Sequence, residues 1–297
     1  MLNLHLIECT VKGYDHISDL LLAKYWVITG CKYRFCESLA TIKIPDSVTE
    51  LGEGAFGSCT SLTSVRLSEN LSKIPYACFS MCANLSDIEL PDNLGGIEAY
   101  AFDKCAKLTS INIPTKRLNT IGSEAFANTG LTSIHIPDNV TTILERAFMD
   151  CKELTSVTLS DNLLSIGNLT FGNCVKLSSI TLPDKITTVS ASLFYGCTAL
   201  SNITLPQNVT YIKGGAFMLC TSLEDITLPE NIVSIDGDAF DRCTSLNKIY
   251  CMPNTPPGVT ESFYEPLLET CTLYVPSGTV DSYKAAIYWQ DFVNVVE

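Results

Sequence analysis

Phenylalanine recurs along this chain with a fixed period. Phe56, Phe79, Phe102, Phe126, Phe148, Phe171, Phe194, Phe217, Phe240 and Phe263 are separated by 23, 23, 24 and 22 residues and then by 23 throughout, with Tyr33 in the same place one period earlier. The 24 and the 22 cancel, so the phase is kept. Self-similarity of this length marks a stack of supersecondary units and restricts the chain to repeat architectures before any element is assigned.

Other ladders run beside the phenylalanines. A leucine recurs from Leu39, Leu62, Leu85 and Leu108 to Leu246, with Ile or Val three residues later (Ile42, Val65, Ile88, Ile111). Two residues further on comes Ile or Leu, usually followed by proline, as in Ile44-Pro45, Leu90-Pro91 and Leu182-Pro183. The segment x-I-x-[IL] alternates apolar and polar at period 2 and reads as a short strand, which the proline ends because it has no N–H for a continuing ladder. The following I-G-x-x-A-F returns the chain through a tight turn and a short helical or extended piece. One unit cannot bury its own apolar residues, so successive copies must stack and share a core. The expected fold is a right-handed, curved α/β repeat solenoid with one parallel β-sheet of short strands.

The run from Ile44 to Val65, IPDSVTELGEGAFGSCTSLTSV, resembles the BspA-like type of leucine-rich repeat, whose signature is IPdsVtsIGegAFxxCtsLtsI. The resemblance extends from about Tyr33 to the C-terminus. Thr272–Ala286, TLYVPSGTVDSYKAA, is similar to the closing segment of bacterial members. Thr279 or Ser277 is placed to cap a helix running to about Trp289, with Val280, Tyr283, Ile287 and Tyr288 as an apolar stripe over the last coil. The expected organisation is an N-terminal cap over 1–30 with a strand at 4–11 and a helix from Ser18, repeats over 31–250, and a degenerate last unit with a C-terminal cap over 251–297.

The chain has a formal charge of −13, with only 19 Lys and Arg in 297 residues, which disfavours nucleic acid and anionic membrane surfaces as partners. The most apolar stretch, Leu20–Ile28, is interrupted by Lys24 and is shorter than the roughly 18 residues of a spanning helix, so a soluble chain without membrane insertion is expected. The first residues, MLNLHLIECTVKG, lack the basic and apolar regions of a secretory signal.

Nine of the 14 cysteines belong to the repeat: Cys36, Cys59, Cys82, Cys105, Cys151, Cys174, Cys197, Cys220 and Cys243. Stacked units lie about 4.8 Å apart with parallel Cβ vectors, so buried free thiols are expected, not disulfides. No zinc-type spacing occurs, and no metal or other cofactor is expected. Cys78 stands where other units have alanine, whereas pairing of Cys251 with Cys271 is left open by the sequence. Asn-x-Ser/Thr triplets begin at Asn84, Asn168, Asn202 and Asn208, as chance supplies in a Ser- and Thr-rich repeat.

The polar residue between the two apolar strand positions runs Lys43, Arg66, Glu89, Asn112, His135, then Thr158, Thr181, Thr204 and Thr227, then Tyr250. Threonine is default filling for a strand face. Lys43, Arg66, Asp87, Glu89, Asn112 and His135 therefore form the candidate binding strip, with Tyr250 as an isolated aromatic contact. His135 shares a face with Ser133, but adjacent units offer it no orienting acid, and Asp87 and Glu89 sit two strands away, at about 10 Å. An enzyme is not expected.

The unit AFANTGLTSIHIPDN (125–139) lacks the cysteine and is one residue short after Phe126, compensated by an extra residue in Pro114–Leu118. Thr129-Gly130 reads as a tighter turn that restores the phase. The resemblance implies a non-enzymatic adhesion module, cell-surface or secreted, that binds a protein or glycoprotein. An intracellular or assembly scaffold is the alternative.

Overall fold

The computed structural model describes Glu8–Val11, Val27–Ile28 and residues 35–297. Tyr33, Cys31 and the helix expected from Ser18 lie outside the described residues. Of the strand expected at 4–11, Glu8–Val11 is described, pairing antiparallel with Leu39–Lys43 on the outer edge of the first coil.

Each unit makes one coil of a parallel-stranded solenoid, and each coil has three faces. The expected strand forms the front: Leu39–Lys43, Ser64–Arg66 and Asp87–Glu89 pair in parallel, as do Ser133–His135 with Ser156–Thr158 and Ser179–Thr181 with Asn202–Thr204. The last front segment runs Asp225–Leu228, Lys248–Cys251, Thr272–Tyr274 and Asn294–Val296. A second row of two-residue strands, not expected from the sequence, forms the back, from Val27–Ile28 and Glu50–Leu51 to Gly258–Val259. Inward side chains of all coils merge into one hydrophobic cluster from Leu39 to Val295.

The third face is made of turns, with a short 3-10 helix at Gly237–Phe240. Here the phenylalanines from Phe56 to Phe240 stack in one column, with centroids 5.3–5.9 Å apart and planes within 16° of parallel. Each buried ring contributes about 1.5–3 kcal/mol. The residues two before and two after each phenylalanine from Phe56 to Phe217 adopt positive φ, as at Ala77 and Met81 around Phe79 or Leu169 and Asn173 around Phe171. Such a conformation costs a non-glycine residue about 1–2 kcal/mol. It is offset because alternate N–H groups then point at the next coil: Leu169 donates to the Ala191 carbonyl at 3.1 Å, Phe171 to Leu193 at 3.1 Å and Asn173 to Tyr195 at 2.6 Å.

The cysteines line the same column. From Cys82 onward each ladder thiol donates to the carbonyl of the phenylalanine one coil earlier, as Cys82 to Phe56 at 3.1 Å and Cys197 to Phe171 at 3.0 Å. The described cysteine side chains form no disulfide, Cys251 and Cys271 included. Cys251 instead meets the Tyr283 hydroxyl at 3.3 Å.

The short unit is resolved differently from expectation. Thr129 occupies the cysteine place, buried, with its hydroxyl donating to the Phe126 carbonyl at 2.8 Å and lying 3.2 Å from the Cys151 sulfur. The missing residue therefore falls after it, at Gly130. A Cβ there would lie 2.4 Å from the Ala106 carbonyl oxygen, so close approach between coils requires this glycine, not a left-handed turn. The compensating loop is held by the Asn139 side chain, which donates to the Pro114 carbonyl at 3.1 Å and to that of Leu118.

At the C-terminal end the capping helix is shorter than expected, Val280–Ala285, because Ala286 is already extended (φ −86°, ψ 137°); Tyr288 then turns left-handed at φ 68°. Tyr283 is buried as the apolar stripe required, but Ile287 is 71% exposed. Trp289 and Phe292 close the core in its stead, the indole N–H of Trp289 donating to the Pro257 carbonyl at 2.7 Å. A second six-residue helix, Glu265–Thr270, fills the expanded last unit.

Both strand rows are interrupted in places. Among the described residues, one junction interrupts both at once: Ser156–Thr158 does not pair with Ser179–Thr181 in front, nor Ser165–Ile166 with Thr188–Val189 behind. In neighbouring coils the residue after the back strand donates its N–H to the preceding coil, as Gly167 to Ile143 at 2.8 Å and Lys213 to Val189 at 2.9 Å. At the junction the side-chain hydroxyl of Ser190 makes the corresponding contact to Ile166, at 2.5 Å. A hydroxyl reaches further than an N–H and holds the back strands apart.

Candidate binding face

The front strands place their middle apolar residue inward and its neighbours outward. Ile42 and Ile44 are buried while Lys43 between them is exposed, and the same alternation exposes Arg66, Asp87, Glu89, Asn112 and His135. Pairing brings four of these together. Lys43 lies opposite Arg66, Arg66 opposite Glu89, and Ser64 opposite Asp87, on one sheet. The Ser64 hydroxyl donates to Asp87 Oδ2 at 2.8 Å, fixing that carboxylate. The result is a mixed-charge surface with two cations and two anions at strand spacing, in which Arg66 directly opposite Glu89 is a favourable cross-strand arrangement.

The strip does not continue evenly. Residues 109–113 form no strand, so Asn112 sits on irregular backbone between two sheet segments, although Ile111 and Ile113 remain buried. His135 belongs to the following segment and lies opposite Thr158, with Ser133 opposite Ser156. The paired strand thus supplies hydroxyls and no acid to the imidazole. Among the described residues, no three or more His, Cys, Asp or Glu gather where they would hold a metal ion.

Tyr250 is not an isolated aromatic. Its ring stacks on Tyr274 at 4.8 Å and 24°, giving a two-ring platform on the last front strands. Sequence reasoning missed Tyr274 because it follows Tyr250 by 24 residues inside the degenerate unit. A second aromatic pair, the exposed Tyr76 and the half-buried Tyr100, meets edge-to-face at 5.5 Å on the turn face. The Tyr100 hydroxyl donates to Glu124 at 3.0 Å, which pushes its pKa up because phenolate would face that carboxylate.

The buried ladder thiols from Cys82 to Cys243 are unsuited to surface chemistry. Burial raises Cys151 to about 11 and Cys197 and Cys243 to about 12, so their reactive thiolate forms are disfavoured at neutral pH.

Comparison with known proteins agrees with this geometry. A family model described as a BspA type leucine rich repeat region matches residues 28–155 and 141–266, in 6 copies. A leucine-rich repeat protein from Bacteroides ovatus is similar at 25% identity with a TM-score of 0.73, over 87% of this chain and 72% of that one. Another, from Eubacterium ventriosum, shares the fold at 20% identity and a TM-score of 0.52, over 88% of this chain and 73% of that one. No curated protein sequence matches significantly.

Proposed function

Since this chain belongs to the BspA-type leucine-rich repeat family, we propose that it is a non-enzymatic adhesion module, displayed at the cell surface or secreted, that holds a protein or glycoprotein on its front face. Leucine-rich repeat solenoids are typically binding scaffolds, because stacked coils present an extended array of independently variable side chains. The observation that supports this front face is the register of Lys43, Arg66 and Glu89, with Asp87 alongside, on one exposed continuous sheet. Asn112, His135 and the Tyr250–Tyr274 pair extend the contact along the coil axis. Such a surface binds through many modest contacts, most of its specificity coming from charge placement. No described helix is long and apolar enough to cross a membrane.

The test is a binding screen of the intact chain against fibronectin, fibrinogen and mucin, repeated with Arg66→Ala and His135→Ala. Binding that weakens several-fold in Arg66→Ala supports the front face. Unchanged binding in both variants removes this strip from the proposal.

A further inference from the structure

The front row opens where both rows are interrupted, and the opening is a cleft of about 360 Å³. Its volume is at the lower end of small-molecule sites, about 300–1,000 Å³. Five hydroxyl side chains line it, Thr155, Ser156 and Thr158 from one coil and Ser179 and Thr181 from the next. Asp161 is the one charged residue of the lining. Val157 and Leu159 form a half-exposed apolar part of the wall, although the equivalent Ile134 and Ile136 one coil earlier are 4% and 0% exposed.

Strand edges also face this space without their usual partners. The Thr155 N–H donates to Thr132 at 2.9 Å and that of Ser201 to Ser178 at 3.0 Å, whereas the Ser178 N–H makes no such bond to Thr155. The gap is nonetheless too narrow for a peptide strand. Residues of Ser156–Thr158 and Ser179–Thr181 still lie with Cα atoms within 8 Å of each other, and an intercalated strand needs about 9.6 Å, twice the pairing distance. An anion is disfavoured by Asp161 with no cation in the lining.

We propose that this cleft binds a neutral saccharide of one or two rings. Sugar hydroxyls donate and accept at once, which suits a wall of Ser and Thr hydroxyls and of backbone N–H and C=O groups left free by the open pairing. The C–H face of the ring covers Val157 and Leu159, and the Asp161 carboxylate accepts from ring hydroxyls as a charge-assisted partner. The site shares no residue with the Lys43–His135 strip.

The probe is lactose, maltose or chitobiose, titrated into protein carrying labelled threonine methyl groups and followed by NMR. The expected result is a saturable, millimolar response at Thr158 and Thr181 that spares Thr204, one coil beyond the cleft. Thr158→Val and Thr181→Val, which keep the branched shape and remove only the hydroxyl, should each weaken it about fivefold. Asp161→Asn, at an exposed position, should weaken it as well, whereas Thr204→Val should not. The proposal is overturned if none of the three sugars gives a saturable response at tens of millimolar. It is equally overturned if binding survives these cleft substitutions unchanged, or if N-acetylneuraminic acid or hexalysine binds in preference to them. Arg66→Ala should leave this titration unaffected, so failure of the front strip and failure of the cleft are read separately.

Discussion

The coil carrying Arg66 and the coil carrying Thr181 are built from the same 23-residue unit, yet they are joined to their predecessors differently. Ser64–Arg66 pairs along its length with Leu39–Lys43, whereas Ser179–Thr181 pairs with nothing on that side. Behind, Thr188–Val189 is likewise open toward Ser165–Ile166. Across that junction the turn face continues unchanged, with Phe171 stacked on Phe194 at 5.9 Å and the three backbone bonds from Leu169, Phe171 and Asn173 intact. Continuity of this solenoid therefore lives in its turns. The strand rows are free to vary and to open, and both proposed binding regions lie on them.

Removing the aromatic column where it acts with least help should have the largest effect. Phe171→Ala is expected to cost about 3–5 kcal/mol and to split chemical unfolding into two transitions at the open junction. The same change at Phe79, whose coil is also paired in front and behind, should cost as much while unfolding stays a single transition. Identical behaviour of the two variants would show that strand pairing adds nothing to coupling between coils.

Alkaline pH tests the thiol column along the whole molecule. The folded pKa values of Cys151, Cys197 and Cys243 are raised from 9.0 to about 11 or 12. The neutral thiol is thus the form the fold prefers. Its contribution is fully present below about pH 9, and it is lost as pH rises from there toward about 12, because the unfolded chain releases these protons first. The slope reaches about 1.4 kcal/mol per pH unit for each buried thiol. Urea midpoints measured at several pH values in this window should fall steeply, and a flat profile would refute buried thiols.

Smaller effects sharpen the comparison. Ser190→Ala removes the donor that reaches Ile166 and should destabilise by about 1–2 kcal/mol, read from the denaturation midpoint. Thr129→Val should cost about 1 kcal/mol by leaving the Phe126 carbonyl without that hydroxyl, whereas Thr129→Cys should be near neutral because it restores the thiol that neighbouring coils use. Arg66→Ala, fully on the surface, should change stability by less than about 0.5 kcal/mol even where it abolishes binding.

The stacking, the buried thiols and the parallel front strands were legible because each is written by a side chain repeating at 23 residues. The outward positions of Lys43, Arg66, Asp87, Glu89, Asn112 and His135 followed from the same alternation. What escaped was set by backbone pairing or by departures from the period. The left-handed turn positions accept Ala, Met, Leu and Arg alike, so no glycine pattern marked them. Ile287 looked buried on a helix that ends two residues before it, at Ala285. Tyr274 stood one residue out of phase. The open junction lies inside the uniform threonine run Thr158, Thr181, Thr204, whose regularity suggested mere filling; Ser190, in a place where Gly122 and Gly167 occur, is its one sequence trace.

Amide hydrogen exchange at three equivalent positions measures the difference between joined and open coils most directly. Thr155, Ser178 and Ser201 are all exposed and immediately precede consecutive front strands. With the front row open between Ser156–Thr158 and Ser179–Thr181 but paired on either side of them, the Ser178 amide should exchange at least about tenfold faster than the other two, and the Thr187 amide faster than those of Leu164 and Thr210, which donate to Thr141 and Thr187 at 2.8 Å. Equal protection of Ser178, Thr155 and Ser201 would mean that the strands pair without interruption, and the cleft with its proposed ligand would fall with it.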